Sequence, residues 1–455
     1  KYRILLNLLN IVFLMKSYDI VILYEHKSRE LENSCLLAVE LEKRGYTVGI
    51  YNIYEGFRYF VKSKVLIVPH LYNEQQLIWF AKNYAMSNRC IIDMQYEQVV
   101  TNYCENTIML DPKGQAKNAQ HIAWGKAQEE KYVRAGISES HIHNTGHIGM
   151  DLLRPEFKDY FYSKEQLAKE FDLDSSKEWI LFISSFSLAN RTEADIELFS
   201  ILDPSTRGFA ELCDKSMERI LDWFEIMLKK HPEKIFIYRP HPGELHSDRI
   251  TDMTKKYNNF KYIKKYSIRQ WLHPIDITLN WVSTSIADVY FANRKCGLLR
   301  PFHLDEMHDL TIMKNAKFIE SEEQFEEFLD TVNSEFPISE SLISYNYGDK
   351  RLKPAYSLIA DLAESMIKND ALGYDYNFGS SKFRCQNEKF NILTFKIYFS
   401  MLFVELAKYI DFTVLGRIFK SKKSKFELLR NEIFHYKKEV IMYKKRFYQI
   451  LGTDK

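Results

Sequence analysis

A chain of 455 residues, 46% hydrophobic and 15% aromatic, holds enough apolar material for two packed cores, which excludes a disordered or fibrous class. Its formal net charge is only +2, yet residues 417–455 hold twelve Lys or Arg against four Asp or Glu, a balance of +8 that leaves −6 on the rest. The basic character therefore belongs to a tail, which argues against a nucleic-acid groove through the body and for a local anionic partner such as a membrane surface.

The six cysteines, Cys35, Cys90, Cys104, Cys213, Cys296 and Cys385, form no C-x-x-C pair and follow no regular spacing, so neither a disulfide framework nor a zinc site is suggested and a reducing compartment fits. The opening "KYRILLNLLNIVFLM" has the basic start and apolar run of a signal peptide, but two asparagines interrupt it and no cleavage site follows. Met15 reads as the functional start, with a short membrane-surface segment as the alternative. No run of 18 uninterrupted apolar residues occurs, so no bilayer span is expected.

From residue 18 short apolar runs alternate with helical patterns: "DIVILYE", the helix "ENSCLLAVELEKRG", "TVGIYN", "KVLIVPH", the helix "NEQQLIWFAKNYAM", "RCIIDM" and "HIAWG". Such alternation implies parallel strands with crossover helices. The stretch up to "GMDLLRPEF" closes this unit, with Asp151 as a hinge or cap, and "SKEQLAKEFDLDSSKE" reads as a helical connector. The pattern restarts with "WILFISSF", a long helix within 208–230, "KIFIYRP", "FKYIK", "SIRQWLHP", "DITLNWVS", "SIADVYFANRK" and "CGLLRP". Two α/β units joined by a connector make a cleft, with ligands expected beyond the carboxyl ends of the strands. Residues 355–368 form an amphipathic helix that should pack back on the body. From Phe390 the chain is helical, aromatic and basic, the pattern of an interfacial helix with a polybasic flank, with a solvated face or a protein-protein helix as the alternatives.

Chemistry concentrates at strand ends. In "YRPHPGE", Pro240 and Pro242 stiffen a corner that positions His241, while Arg239 either pairs with Glu244 or grips a phosphate. His231-Pro232 and His273-Pro274 fall at helix ends and read as turns. Ser283, Thr284 and Ser285 open a helix after a strand, where hydroxyls and free amides suit an anion. No P-loop and no G-x-G-x-x-G occurs, which disfavours ATP-type and dinucleotide-type loops. In the first unit "EHKSRE" sets Glu25, Lys27, Arg29 and Glu30 after the first strand, and Glu97 in "MQYEQ" follows another; Glu25, Glu30 and Glu97 are the alternatives for a general base.

In order and spacing, "YEHKSRELENSCLLAVELEKRGYTVGI", "IIDMQYEQ", "WGKAQEEKYVRAGISESHIHNTGHIGMD", "WILFISSFSLAN", "YRPHPGE" and "WVSTSIAD" resemble bacterial surface-carbohydrate biosynthesis proteins, the capsule and teichoic-acid type transferases of GT-B architecture, over about residues 17 to 320. The resemblance implies an α/β fold of two Rossmann-like domains facing a cleft: a leader or upstream segment (1–16), an acceptor domain (17–155), a nucleotide-donor domain (156–335), a helical return segment (336–385) and an amphipathic basic tail (386–455). It implies a phosphate site at His241, Pro242, Ser283, Thr284 and Ser285. Related polymerases often carry Glu shortly after the Ser turn, where this chain has Asp288 in the position of a ribose contact. The expected function is a glycosyltransferase of capsule or O-antigen synthesis. Its donor would be a CMP-, CDP- or UDP-linked sugar, and its acceptor a saccharide or lipid-linked. No cofactor and no metal is required for that role. A phospho-polyol transferase, a nucleotide-sugar epimerase and a non-catalytic scaffold are the alternatives. The expected location is cytoplasmic, at the inner-membrane surface through the C-terminal helices, with no nucleic-acid partner and with homo-oligomerisation left open.

Overall fold

The computed structural model describes residues 16–377, apart from 56–60, 82–89, 108, 202–203, 333, 350–352 and 370–371, together with residues 436–452. The leader, Cys385 and the tail up to residue 435 lie outside the described residues. The chain divides into two compact units, one of residues 1–98, 110–151 and 351–455, the other of 99–109 and 152–350.

The first unit is built on six parallel strands: β1 (Lys16–Tyr24), β2 (Val48–Asn52), β3 (Val61–Val68), β4 (Cys90–Asp93), β5 (Gln120–Ala123) and β6 (Ile142–Asn144), in spatial order β2-β1-β3-β4-β5-β6. Ile20 to Tyr24 and Val65 to Val68 are continuously buried, as a parallel sheet covered on both faces demands. The second unit has five parallel strands: β7 (Glu178–Ile183), β8 (Lys234–Arg239), β9 (Phe260–Tyr262), β10 (Ile277–Asn280) and β11 (Lys295–Leu298), in order β11-β10-β7-β8-β9. The expected α/β architecture of two parallel sheets is thus present.

Strand order places the reactive edges. The first sheet reverses direction between β1 and β3, the second between β7 and β10. At such a reversal the flanking crossovers leave on opposite faces, so the carboxyl ends of the two strands open a crevice.

The helix Glu32–Lys43 is buried nearly all round, because the sheet lies on one side and the helices Ala355–Lys368 and Tyr436–Leu451 on the other. Asp151 accepts the Tyr356 N–H at 2.9 Å and so caps the returning helix. Arg44, ending the helix Glu32–Lys43, pairs with Asp361 at 2.7 Å and Glu364 at 3.2 Å. The second of these covering helices belongs to the basic tail and packs on the first unit. Its Tyr436 and Phe447 are buried, Tyr436 bonds Glu55, Lys444 and Tyr448 bond Glu42, and Glu439 pairs with Lys27 at 2.9 Å. No helix among the described residues is long and apolar enough to cross a membrane.

Candidate functional site

Two clusters occupy the two edges. In the first unit, the reversal between β1 and β3 brings together three strand ends. Glu25 follows β1, Tyr54 follows β2 and His70 follows β3. The Tyr54 hydroxyl lies 3.0 Å from Glu25 Oε1, and His70 Nε2 lies 3.0 Å from Glu25 Oε2. Burial alone would raise the Glu25 pKa; the bond and charge of His70, then His26 and the Tyr54 hydroxyl, outweigh it and bring it down to about 2. Burial likewise opposes protonation of His70, but Glu25 outweighs it and raises the His70 pKa. Glu25 is therefore a fixed negative charge, and a poor proton acceptor near neutral pH.

Glu30 is fully buried and saturated. Its carboxylate accepts the Glu25 and His26 N–H groups at 2.6 and 3.3 Å and Arg29 Nε at 2.9 Å. A carboxylate so enclosed shapes the loop rather than meeting a substrate. Glu97 differs: its side chain is 40% exposed, Oε2 accepts the Tyr72 hydroxyl at 2.9 Å, and Oε1 lies 3.5 Å from Arg29. Tyr72 stacks on His70 with ring centroids 5.0 Å apart, so the Glu97 and Glu25 groups form one cluster. Of the three carboxylates, Glu97 is the most exposed.

In the second unit, the edge is made by the loops after β7, β8 and β10. Trp281, buried against Phe186, fixes the chain that leads to Ser283, and the Ser185 hydroxyl accepts the Val282 N–H at 3.2 Å across the reversal between β7 and β10. Glu244 is buried and does not pair with Arg239. It accepts the Ser184 and Tyr238 hydroxyls, the latter at 2.8 Å, and the His241 N–H at 3.2 Å, which holds the His-Pro corner from behind. Burial raises its pKa, only partly offset by these donors.

His241 and Pro242 are exposed. His241 Nδ1 accepts the Gly243 N–H at 3.1 Å, so the neutral ring carries its proton on Nε2. Partial desolvation by the surrounding loops, then the Arg191 guanidinium, lowers the His241 pKa and favours that neutral form. Arg191 donates to the Ser187 carbonyl at 3.0 Å and the Gly243 carbonyl at 2.5 Å. Arg239 donates to the carbonyls of Lys264, Lys265 and Tyr266, and burial lowers its pKa to about 10. It thus anchors the loop after β9 instead of standing free for a phosphate.

Ser283 and Ser285 are half-buried and Thr284 exposed. The Ser283 hydroxyl accepts the Ser285 N–H at 3.3 Å, and the helix that follows, Ile286–Phe291, has six residues, so its dipole adds little. Asp288 is a correction to the ribose-contact expectation. It is buried against Arg269 at 2.7 Å, and burial raises its pKa against the pull of that guanidinium. The chain's D-x-D triplet, Asp172-Leu173-Asp174, lies in the connector, where Asp174 accepts the Ser176 N–H at 2.9 Å.

Tyr54, Tyr72, His70 and Arg191 are among the residues of these clusters that escape sequence reasoning. His70 stands in "VPH", a strand ending in Pro-His just as "YRPH" does, so the signal was there. Arg191 sits in a loop eight residues beyond β7 and carries no such mark.

No protein-family model matches this chain, and no curated protein matches it. Solved structures with a similar course include the UDP-GlcNAc 2-epimerase of Methanocaldococcus jannaschii (12% identity, 77% of this chain and 100% of that one, TM-score 0.48). They also include the wall teichoic acid polymerase TagF soaked with CDPG (11% identity, 78% and 89%, TM-score 0.49). A third is the UDP-GlcNAc 2-epimerase of Neisseria meningitidis bound to UDP-GlcNAc (13% identity, 78% and 99%, TM-score 0.43).

Proposed function

We propose that the protein is a GT-B type glycosyltransferase using a nucleotide-activated sugar donor in bacterial surface-polysaccharide synthesis. One observation carries this reading. The two guanidinium groups at the edge of the second sheet, Arg191 and Arg239, are bonded to backbone carbonyls and to no carboxylate among the described residues. A carbonyl satisfies the N–H groups but leaves the charge uncompensated, so this edge keeps a positive field that a nucleotide phosphate would neutralise.

In this reading Arg191, the neutral His241 through Nε2–H, and the hydroxyls of Thr284 and Ser285 hold the donor phosphate. They stabilise the charge that develops as the nucleotide leaves. Transfer bonds the acceptor oxygen to the anomeric carbon as the bond from that carbon to the phosphate oxygen breaks, and within the first unit Glu97 is the carboxylate exposed enough to take the acceptor's proton. The acceptor is a saccharide or lipid-linked, and the inner-membrane surface is its place of work.

Incubation with CMP-, CDP-, UDP- and GDP-linked donors, with and without membrane extract, tests the reading. Donor loss that requires extract supports transfer. Donor conversion without any acceptor favours an epimerase instead, and no donor consumption under either condition overturns the enzyme reading.

A further inference from the structure

The first unit's edge differs from the second in how its charges are met. Arg29 is met by Glu30 at 2.8 Å and Glu97 at 3.5 Å, and His70 by Glu25 at 3.0 Å. Each of these cations already has a carboxylate, with three carboxylates against the two of them; buried Asp93 at the end of β4 is met by His121 at 2.9 Å. His26 lies 4.0 Å from Glu25, and Lys27 is turned to Glu439. An incoming phosphate would find no uncompensated cation among these groups and a surplus of negative charge.

The same groups are well suited to hydroxyls. Glu97 offers a half-exposed acceptor, and Arg29 and His26 are partly exposed donors. His70, nine-tenths buried within the cluster, leaves Nδ1 without a hydrogen-bond partner among the described residues. Beside them Tyr54 is 38% exposed, and its ring lies 5.8 Å from that of half-buried Trp79. An aromatic face next to fixed carboxylates supplies apolar contact and oriented hydrogen bonds together, the combination a sugar ring presents in return.

We infer that this edge is a subsite for a neutral saccharide, stacked on Tyr54 and held through its hydroxyls by Glu97 and Arg29, and that it rejects polyol-phosphate acceptors. This rests on the transferase reading for its role as acceptor site, but the binding itself can be measured with no donor present. Saturation-transfer NMR on the full chain would compare neutral methyl glycosides of glucose, galactose and N-acetylglucosamine with glycerol 3-phosphate and a glycerol-phosphate oligomer.

At least one neutral glycoside is expected to bind and both phosphorylated probes to fail. Tyr54→Ala should weaken glycoside binding about three- to tenfold. Tyr54→Phe, which keeps the ring and removes the hydroxyl that donates to Glu25, should bind nearly as the parent does. Glu97→Gln should weaken glycoside binding and admit glycerol 3-phosphate more readily. The inference is overturned if no neutral glycoside binds, if binding survives Tyr54→Ala unchanged, or if the phosphorylated probes bind as well and lose affinity with Tyr54→Ala. A protein that binds glycosides at Tyr54 yet consumes no donor keeps this subsite and loses the transferase reading. One that transfers only to phosphorylated acceptors does the reverse.

Discussion

Glu25 and His70 come from strands that neighbour each other across the reversal of the first sheet, and their side chains meet at 3.0 Å. The pair has a defined pH window. The folded pKa of Glu25, about 2, lies below its unfolded value, so its contribution is present above about pH 4.5 and is lost as pH falls toward 2. The folded pKa of His70 is raised, so its contribution is full below about pH 6.5 and declines as pH rises through the folded value. The stability lost in Glu25→Gln should therefore be largest between about pH 4.5 and 6.5, on the order of 2 kcal/mol. Urea unfolding of both proteins across pH 3 to 9 checks this, and a difference that does not vary with pH contradicts it.

His241→Ala should abolish transfer while unfolding at the parent's temperature, because the exposed ring fills no core and gives up only the Gly243 N–H bond. Arg191→Ala should weaken binding of the bare nucleotide by about 1.5 to 3 kcal/mol, the worth of a hydrogen bond to a charged oxygen. Titration calorimetry reads the second effect; unchanged affinity would show that the phosphate lies elsewhere.

Asp288→Ala should act on folding and not on the donor. It removes the carboxylate that meets the buried Arg269 guanidinium at 2.7 Å, and breaking a buried pair costs about 3 to 5 kcal/mol. Denaturant titration should show that loss, while the surviving folded protein should bind nucleotide normally. A specific fall in nucleotide affinity at full stability would restore Asp288 as a ribose contact.

Removing residues 436–455 should destabilise the first unit, since Tyr436 and Lys437 are partners of fully buried Glu55 and Phe447 is fully buried as well. Phe447→Ala alone should cost about 3 to 5 kcal/mol. Thermal unfolding checks both variants, and parent-like stability would mean that this helix is only loosely seated.

The strands were legible because a parallel sheet covered on both faces needs unbroken apolar runs, and "IVIL", "VLIV" and "WILFI" supply them. Strand β6 was not, because Ile142–Asn144 is short, half-exposed and polar. The His241 corner was legible because proline fixes the backbone on both sides of it. What stayed hidden was pairing across sequence distance. Nothing local separates Glu25, tied to a histidine 45 residues on, from Glu97, left half-exposed. Nor does "SIADVY" announce that Asp288 will meet Arg269. That the last helix packs on the first unit stayed hidden because its partners, Glu42 and Glu55, belong to the other end of the chain.

That arrangement bears on the order of events during synthesis. The helix Glu32–Lys43 is made early, but the helices that cover it begin at Ala355 and Tyr436. At about 5 to 20 residues per second, the roughly 310 residues between Lys43 and Ala355 take about 15 to 60 s to emerge. The second unit is almost entirely residues 152–350 and can close within that interval, whereas the first waits with one side of the helix Glu32–Lys43 uncovered. The unit that appears first on the ribosome is the one that finishes last, and it is the nascent chain's candidate for chaperone binding.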